Sequence, residues 1–204
     1  MAGLDAARVR ANLERVRAQI GDTVEICAAV KYVALDDLPA LAEAGVTLAG
    51  ENRAQELAAK QDAHGDLFEW DFIGALQSRK VKEVAPRVRL IHSVGSDSVL
   101  AQLARHPVGE VLLQVNVAGE EGKAGIAPSD LGEFIERCPV PVSGLMTMPP
   151  LAERPEDSRP HFARLAQLAA DHGLERLSMG TSQDYEAAVA EGATIVRLGS
   201  VLYD

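Results

Sequence analysis

The sequence predicts a (β/α)8 barrel, on three observations. Short β-rich runs recur eight times along the 204 residues, segments of helical spacing lie between them, and polar residues collect where the runs end. Strands that alternate with helices imply a parallel sheet, because a parallel connection needs a crossover. Eight such units point to closure into a barrel of the TIM type rather than to an open sheet.

The runs, in order, are Val24–Val30, Val46–Ala49, Trp70–Gly74, Leu90–Val94, Val111–Val117, Val142–Met146, Arg176–Met179 and Thr194–Leu198. Helical stripes between them include Leu38, Leu41 and Ala42; Leu100, Leu103 and Ala104; Phe162, Leu165, Ala166 and Leu168; and Tyr185, Ala188 and Val189. Ahead of the first strand, Leu4–Ile20 is an amphipathic helix with Leu13, Val16 and Ile20 on one face, and Gly21-Asp22 ends it. No helix is expected after the eighth strand, since only a few residues follow it, and the N-terminal helix is expected to cover that gap. The stretch Pro149–Pro160 carries Pro149, Pro150, Pro155 and Pro160 and reads as an irregular loop, either a lid or a spacer.

The length suits one sizeable core and is short for two domains. Residues 1–204 are therefore read as a single barrel domain with an extra N-terminal helix and no second β domain. Aromatics make up 4% of the chain and hydrophobic residues 47%, so Ala, Val and Leu carry the packing. The formal net charge is −10, which argues against nucleic acid or an anionic membrane face as a partner. An anionic ligand needs a local cluster of donors working against that field. No apolar run approaches the ~20 residues of a membrane span. Met-Ala-Gly-Leu-Asp at the N-terminus has no secretory character. Cys27 and Cys138 lie far apart and form no CxxC pair. They read as free thiols, and the chain as cytoplasmic.

Barrel chemistry sits at the C-terminal ends of the strands. Those ends carry Lys31; Gly50-Glu51-Asn52; Gly74 and Gln77; His92-Ser93; Gln114 and Asn116; Met146-Thr147-Met148; Gly180-Thr181-Ser182; and Arg197 with Gly199-Ser200. Lys31 closes an apolar strand, and alternation sets it on the face of Cys27 and Ala29, where small side chains leave room for a bulky group. Apolar walls favour a neutral amine, which Schiff-base chemistry requires. The alternative is a solvated lysine capping a strand. Gly180-Thr181-Ser182 leads into a helix read as starting near Gln183, either as an anion site or as the cap Thr181-Ser182-Gln183-Asp184. Arg197 suits a phosphate site in the last loops or a buried ion pair, and Gly199 lets a phosphate approach the backbone. The five histidines, His92 among them, show no metal-ligand spacing and receive no catalytic role. Glu120-Glu121 and Asp36-Asp37 read as solvated loop residues. No GxSxG, P-loop or GxGxxG is present.

Nine segments in order resemble the YggS/PROSC family of pyridoxal 5′-phosphate (PLP) binding proteins. They are Ala29-Val30-Lys31-Tyr32-Val33, Gly50-Glu51-Asn52-Arg53-Ala54-Gln55-Glu56, Phe72-Ile73-Gly74-Ala75-Leu76-Gln77-Ser78-Arg79-Lys80, Ile91-His92-Ser93-Val94, Gln114-Val115-Asn116-Val117, Lys123-Ala124-Gly125, Gly144-Leu145-Met146-Thr147-Met148, Leu177-Ser178-Met179-Gly180 and Val196-Arg197-Leu198-Gly199. The resemblance implies PLP as cofactor, with Lys31 forming the internal aldimine. It implies that Ser182, Gly199 and Ser200 hold the phosphate and that Arg197 faces the pyridine nitrogen. Asn52 would contact the ring region, while Met146 and Met179 would line the pocket. Thr181 stands where the family usually has Met, and the ending Val201-Leu202-Tyr203-Asp204 also departs from it.

The family shares its barrel with alanine racemase, whose second domain supplies a tyrosine acid/base across a dimer. Among Tyr32, Tyr185 and Tyr203 none has an evident claim to that role. An arginine at the ring nitrogen also disfavours protonation there and weakens the electron sink. The expectation is a monomeric protein of PLP homeostasis or carriage, with PLP and small amino acids as partners and little or no turnover. A PLP-dependent amino-acid racemase is the alternative, and a Schiff-base aldolase acting on a phosphorylated sugar is a third reading.

Overall fold

The computed structural model describes residues 3–204; Met1 and Ala2, part of the N-terminus read as lacking secretory character, lie outside them. Eight parallel strands close into a barrel in sequence order: β1 (Glu25–Ala29), β2 (Leu48–Glu51), β3 (Glu69–Phe72), β4 (Leu90–Val94), β5 (Glu110–Gln114), β6 (Val142–Met146), β7 (Arg176–Thr181) and β8 (Ile195–Leu198). Pairing of Cys27 with Arg197 and of Ala28 with Leu198 joins β1 to β8 and removes both sheet edges.

Around the barrel run α1 (Ala6–Ile20), α2 (Leu38–Glu43), α3 (Ala54–His64), α4 (Val81–Val84), α5 (Asp97–Leu103), α6 (Leu131–Arg137), α7 (Arg159–Asp171), α8 (Tyr185–Ala190) and α9 (Ser200–Tyr203). The last of these corrects one expectation: a single helical turn does follow β8. As expected, α1 packs where a full eighth helix would lie, against α2, α8 and α9. Asp5 caps it by accepting the N–H groups of Ala7 and Arg8. Its one buried polar residue, Asn12, is satisfied by donating to the carbonyls of Leu202 and Asp204.

Strand alternation sorts the side chains into two layers. Cys27, Leu48, Leu90, Leu112, Met146 and Ile195 fill the barrel interior, while the larger apolar set lies between strands and helices. Both cysteines are free, and Cys27 is buried in that interior layer. The N-terminal end of the barrel is closed by charge. Arg176 pairs with Glu25 and Glu110, and Arg89 pairs with Glu25, Glu69 and Asp71. The opposite end of the barrel opens into a cavity. No helix among the described residues is long and apolar enough to cross a membrane.

Candidate functional site

A cavity of about 740 Å³ opens at the C-terminal ends of the strands. Of the residues singled out in the sequence, Lys31, Asn52, Met146, Ser182, Arg197, Gly199 and Ser200 all line it. Met179 does not. On β7 the side chain of Ser178 points inward, so alternation turns Met179 outward, into the layer between strands and helices.

Lys31 lies just past β1, in a turn closed by the Val33 N–H donating to the Val30 carbonyl at 3.0 Å. Its side chain is exposed at the cavity mouth, with Nζ 4.7 Å from the centroid of the exposed Tyr32 ring. The side chain is exposed rather than walled in by apolar groups, because the turn carries it beyond the end of β1.

Arg197 is buried on β8 and reaches over the neighbouring β7 to the end of β6. One terminal nitrogen donates to the carbonyl and hydroxyl oxygens of Ser178 at 2.7 and 2.5 Å; the other donates to the Thr147 carbonyl and the Met148 sulfur, both at 2.9 Å. It thus takes neutral acceptors rather than the ion pair that the sequence left open. Burial pulls its guanidinium down to about 10, which still leaves it charged near neutral pH.

Behind Arg197 lies a chain of groups on which sequence reasoning placed no function. The Ser178 hydroxyl meets His92 Nδ1 at 2.8 Å, and His92 Nε2 meets Asp71 at 3.1 Å. Asp71 also accepts two bonds from Arg89. Burial pushes His92 below its usual value against the pull of Asp71. Burial alone would raise Asp71, but bonds from His92 and Arg89 outweigh it and hold the carboxyl low. A signal for this chain was available: Asp71 and His92 are polar residues at inward positions of otherwise apolar strands.

At the other wall, Ser182 accepts the N–H groups of Gly199 and Val201 at 3.0 and 3.3 Å. Both bonds are to its oxygen, so the hydroxyl hydrogen is left to donate elsewhere. The expected helix cap takes a different form. α8 starts at Tyr185, and the Asp184 carboxylate turns back to accept from the N–H and hydroxyl of Thr181 at 2.8 and 3.1 Å. Thr181 therefore spends its hydroxyl hydrogen on Asp184. Asn52 has its side-chain oxygen buried without a hydrogen-bond partner. Tyr203 and Asp37, given no role from sequence, also line the cavity. The Tyr203 hydroxyl donates to the Ala29 carbonyl at 3.3 Å, and burial pushes its pKa up. Asp37 is half-buried rather than solvated and accepts the Leu4 N–H.

The loop after β6 borders a second cavity of about 430 Å³, which shares Met148, Thr181 and Gln183 with the first. None of the residues from Pro149 to Pro160 lines the first cavity, and the second half of this stretch is not irregular: Pro155–Ser158 form a helical turn and Pro160 lies in α7.

The family model for the N-terminal domain of alanine racemase matches residues 4–204. A pyridoxal phosphate homeostasis protein from Aquifex aeolicus (strain VF5) is 44% identical over 175 residues, covering 78% of this chain and 77% of its own. The chain belongs to the pyridoxal phosphate homeostasis protein family. Another member, from Pseudomonas aeruginosa, is 43% identical over 173 residues, covering 78% of this chain and 75% of its own. PipY of Synechococcus elongatus PCC7942 has been solved without and with PLP bound. The two structures superpose with TM-scores of 0.86 and 0.83, at 31% identity, covering 96% of this chain and all of PipY. Alanine racemase of Clostridium difficile 630 shares the barrel alone, with a TM-score of 0.77 at 14% identity over 98% of this chain and 57% of that one.

Proposed function

We propose that this chain holds PLP in the cavity at the strand ends, attached to Lys31 through a Schiff base. Within a single barrel domain it serves PLP homeostasis or carriage, with little or no turnover. The observation that carries this reading is the donor set of one cavity: an amine, a charged guanidinium, a hydroxyl with its hydrogen free, and a buried acceptor lacking a donor.

Each member of the set answers one part of PLP. The Lys31 amine suits the aldehyde. Ser182, Gly199 and Ser200 suit the phosphate. A Cβ at Gly199 would meet nothing nearer than Ala29 at 3.9 Å, so the missing side chain leaves open room beside the backbone. Arg197 faces the ring nitrogen with its Nε–H, the one guanidinium hydrogen that no protein acceptor takes, and the unpartnered Asn52 oxygen accepts from the ring region. When bound, PLP supplies an aldehyde that condenses with amines and a ring that withdraws electrons from the attached carbon.

The same residues argue against efficient racemisation, the second reading. Arg197 has no lone pair to accept a hydrogen bond from a protonated ring nitrogen and only donates to it, which favours the unprotonated nitrogen. Racemisation also needs acid/base groups on both faces of the reacting carbon. Tyr203, the tyrosine on the cavity wall, commits its hydroxyl hydrogen to the Ala29 carbonyl. Small amino acids then enter as amines that compete with Lys31, not as substrates.

The test is the visible absorption spectrum of the purified protein and of Lys31→Ala, before and after adding PLP. A violet band in the wild type that responds to borohydride and is lost in the variant is expected. A wild type that stays colourless with PLP overturns the reading and moves the sugar-phosphate aldolase forward.

A further inference from the structure

Lys60 on α3 is a buried lysine in a segment whose sequence, Ala54–His64, reads as an ordinary polar helix. A buried ammonium is costly unless paired and fully hydrogen-bonded. Its Nζ donates to the Glu51 carboxylate at 2.6 Å and to the Val30 carbonyl at 2.5 Å. Glu51, fully buried at the end of β2, uses its other oxygen to accept the N–H groups of Asn52 and Arg53 at 2.6 and 3.3 Å.

The two ends of this pair reach the two loops that carry cavity residues. The Val30 carbonyl, which Lys60 grips, also closes the turn holding Lys31. The N–H that Glu51 grips belongs to Asn52 itself. β1 and β2 are tied at the same level, where the Val30 N–H donates to the Gly50 carbonyl at 3.0 Å. One buried ion pair thus fixes, by charge-assisted bonds, the backbone on either side of the cavity mouth. An apolar pair of similar volume would pack the same space at little or no cost in stability, so packing alone does not explain it.

We propose that Glu51 and Lys60 act as a clamp that positions Lys31 and Asn52 toward the cofactor. Neither touches the ligand, and both are positioning residues. The proposal rests on the PLP reading above.

The test compares wild type, Glu51→Leu/Lys60→Met and Lys60→Arg. Amide hydrogen exchange is followed at Asn52 and in the Val30–Val33 turn in protein without PLP, and PLP affinity and thermal unfolding are measured alongside. In the double variant the amides at Asn52 and in the turn are expected to exchange faster. PLP binding is expected to weaken by about 10–100-fold, the range seen when groups supporting a site's ligands are removed. The melting temperature should fall only modestly, because apolar side chains refill the space while the Asn52 and Arg53 N–H groups lose the Glu51 oxygen. Lys60→Arg keeps the charge and recovers part of the affinity. A folded double variant with unchanged exchange and affinity overturns the clamp, as does an affinity loss that merely follows global stability. Should the double variant not fold, the wild type decides: an Asn52 amide exchanging as fast as an exposed loop overturns the proposal, and one protected like its strand neighbours sustains it. A wild type that binds no PLP defeats the functional reading, while the exchange comparison still judges the clamp.

Discussion

Arg197 and His92 are coupled through one hydroxyl, that of Ser178. An arginine only donates, so Ser178 Oγ accepts from Arg197 and its hydrogen goes to His92 Nδ1. His92 is then the neutral Nε2–H tautomer and donates to Asp71. The chain has one direction, from the cavity wall to the charged ring at the far end of the barrel.

Ser178→Ala interrupts that chain. His92 Nδ1 loses its donor and one Arg197 nitrogen loses its side-chain acceptor, both in the buried interior. An unsatisfied buried polar group costs about 1–3 kcal/mol. The urea midpoint of Ser178→Ala is therefore expected to fall by a corresponding amount, with the slope unchanged. A midpoint equal to wild type would show that the hydroxyl links nothing.

The neutral state of His92 gives stability a pH dependence of definite sign. Its folded value lies below that of the unfolded chain, so the unfolded state takes up the proton first. Stability is full above about pH 6.5, the unfolded value, and falls as pH drops through the folded one. Asp71, also held low, adds a second loss further into acid. In His92→Gln the limb just below neutrality should flatten while the acid limb remains. Chemical denaturation from pH 7 down to pH 5 decides it, and an identical slope in the variant would refute the assignment.

Gly74 lies on the cavity wall against the Asn52 segment. A Cβ there would sit 2.1 Å from the Asn52 carbonyl oxygen and 2.6 Å from its Cα, so backbone would have to move. Overpacking of this kind costs about 1–3 kcal/mol. Gly74→Ala is expected to lower the melting temperature and to weaken PLP binding, because the displaced backbone is that of Asn52. Unchanged affinity in a destabilised variant would separate Asn52 from the ligand.

Much of this is legible in the sequence. β4 and β6 run over the residues expected, and the other strands differ only at their ends, because ends depend on register with neighbours rather than on local pattern. Strand ends also named most of the cavity. Met179 enters the pocket by the resemblance alone, whereas alternation on β7 sets it opposite Ser178 and out of the cavity. A strand that runs through Val30 sets Lys31 beside apolar walls, whereas β1 ends at Ala29 and a turn follows. Lys60 was invisible, since within Gln55-Glu56-Leu57-Ala58-Ala59-Lys60-Gln61 a lysine reads as solvated and only tertiary packing buries it. The Asp71–His92 pairing joins strands at matching depth, a relation that alternation hints at and barrel closure completes.

Ser182 separates the phosphate from the rest of the cofactor. Its oxygen already accepts two backbone N–H groups of the last loop, so the hydrogen it has left is suited to an anion rather than to the protein. A hydrogen bond to a charged group contributes about 1.5–3 kcal/mol, or roughly ten- to a hundred-fold in affinity. Ser182→Ala is therefore expected to weaken PLP by that factor and to leave pyridoxal, which has the aldehyde and ring but no phosphate, bound as in wild type. Titrating both ligands against both proteins by absorbance gives the comparison. An equal loss for PLP and pyridoxal would mean that Ser182 only shapes the Gly199–Val201 loop; a loss confined to PLP would place the phosphate at this hydroxyl.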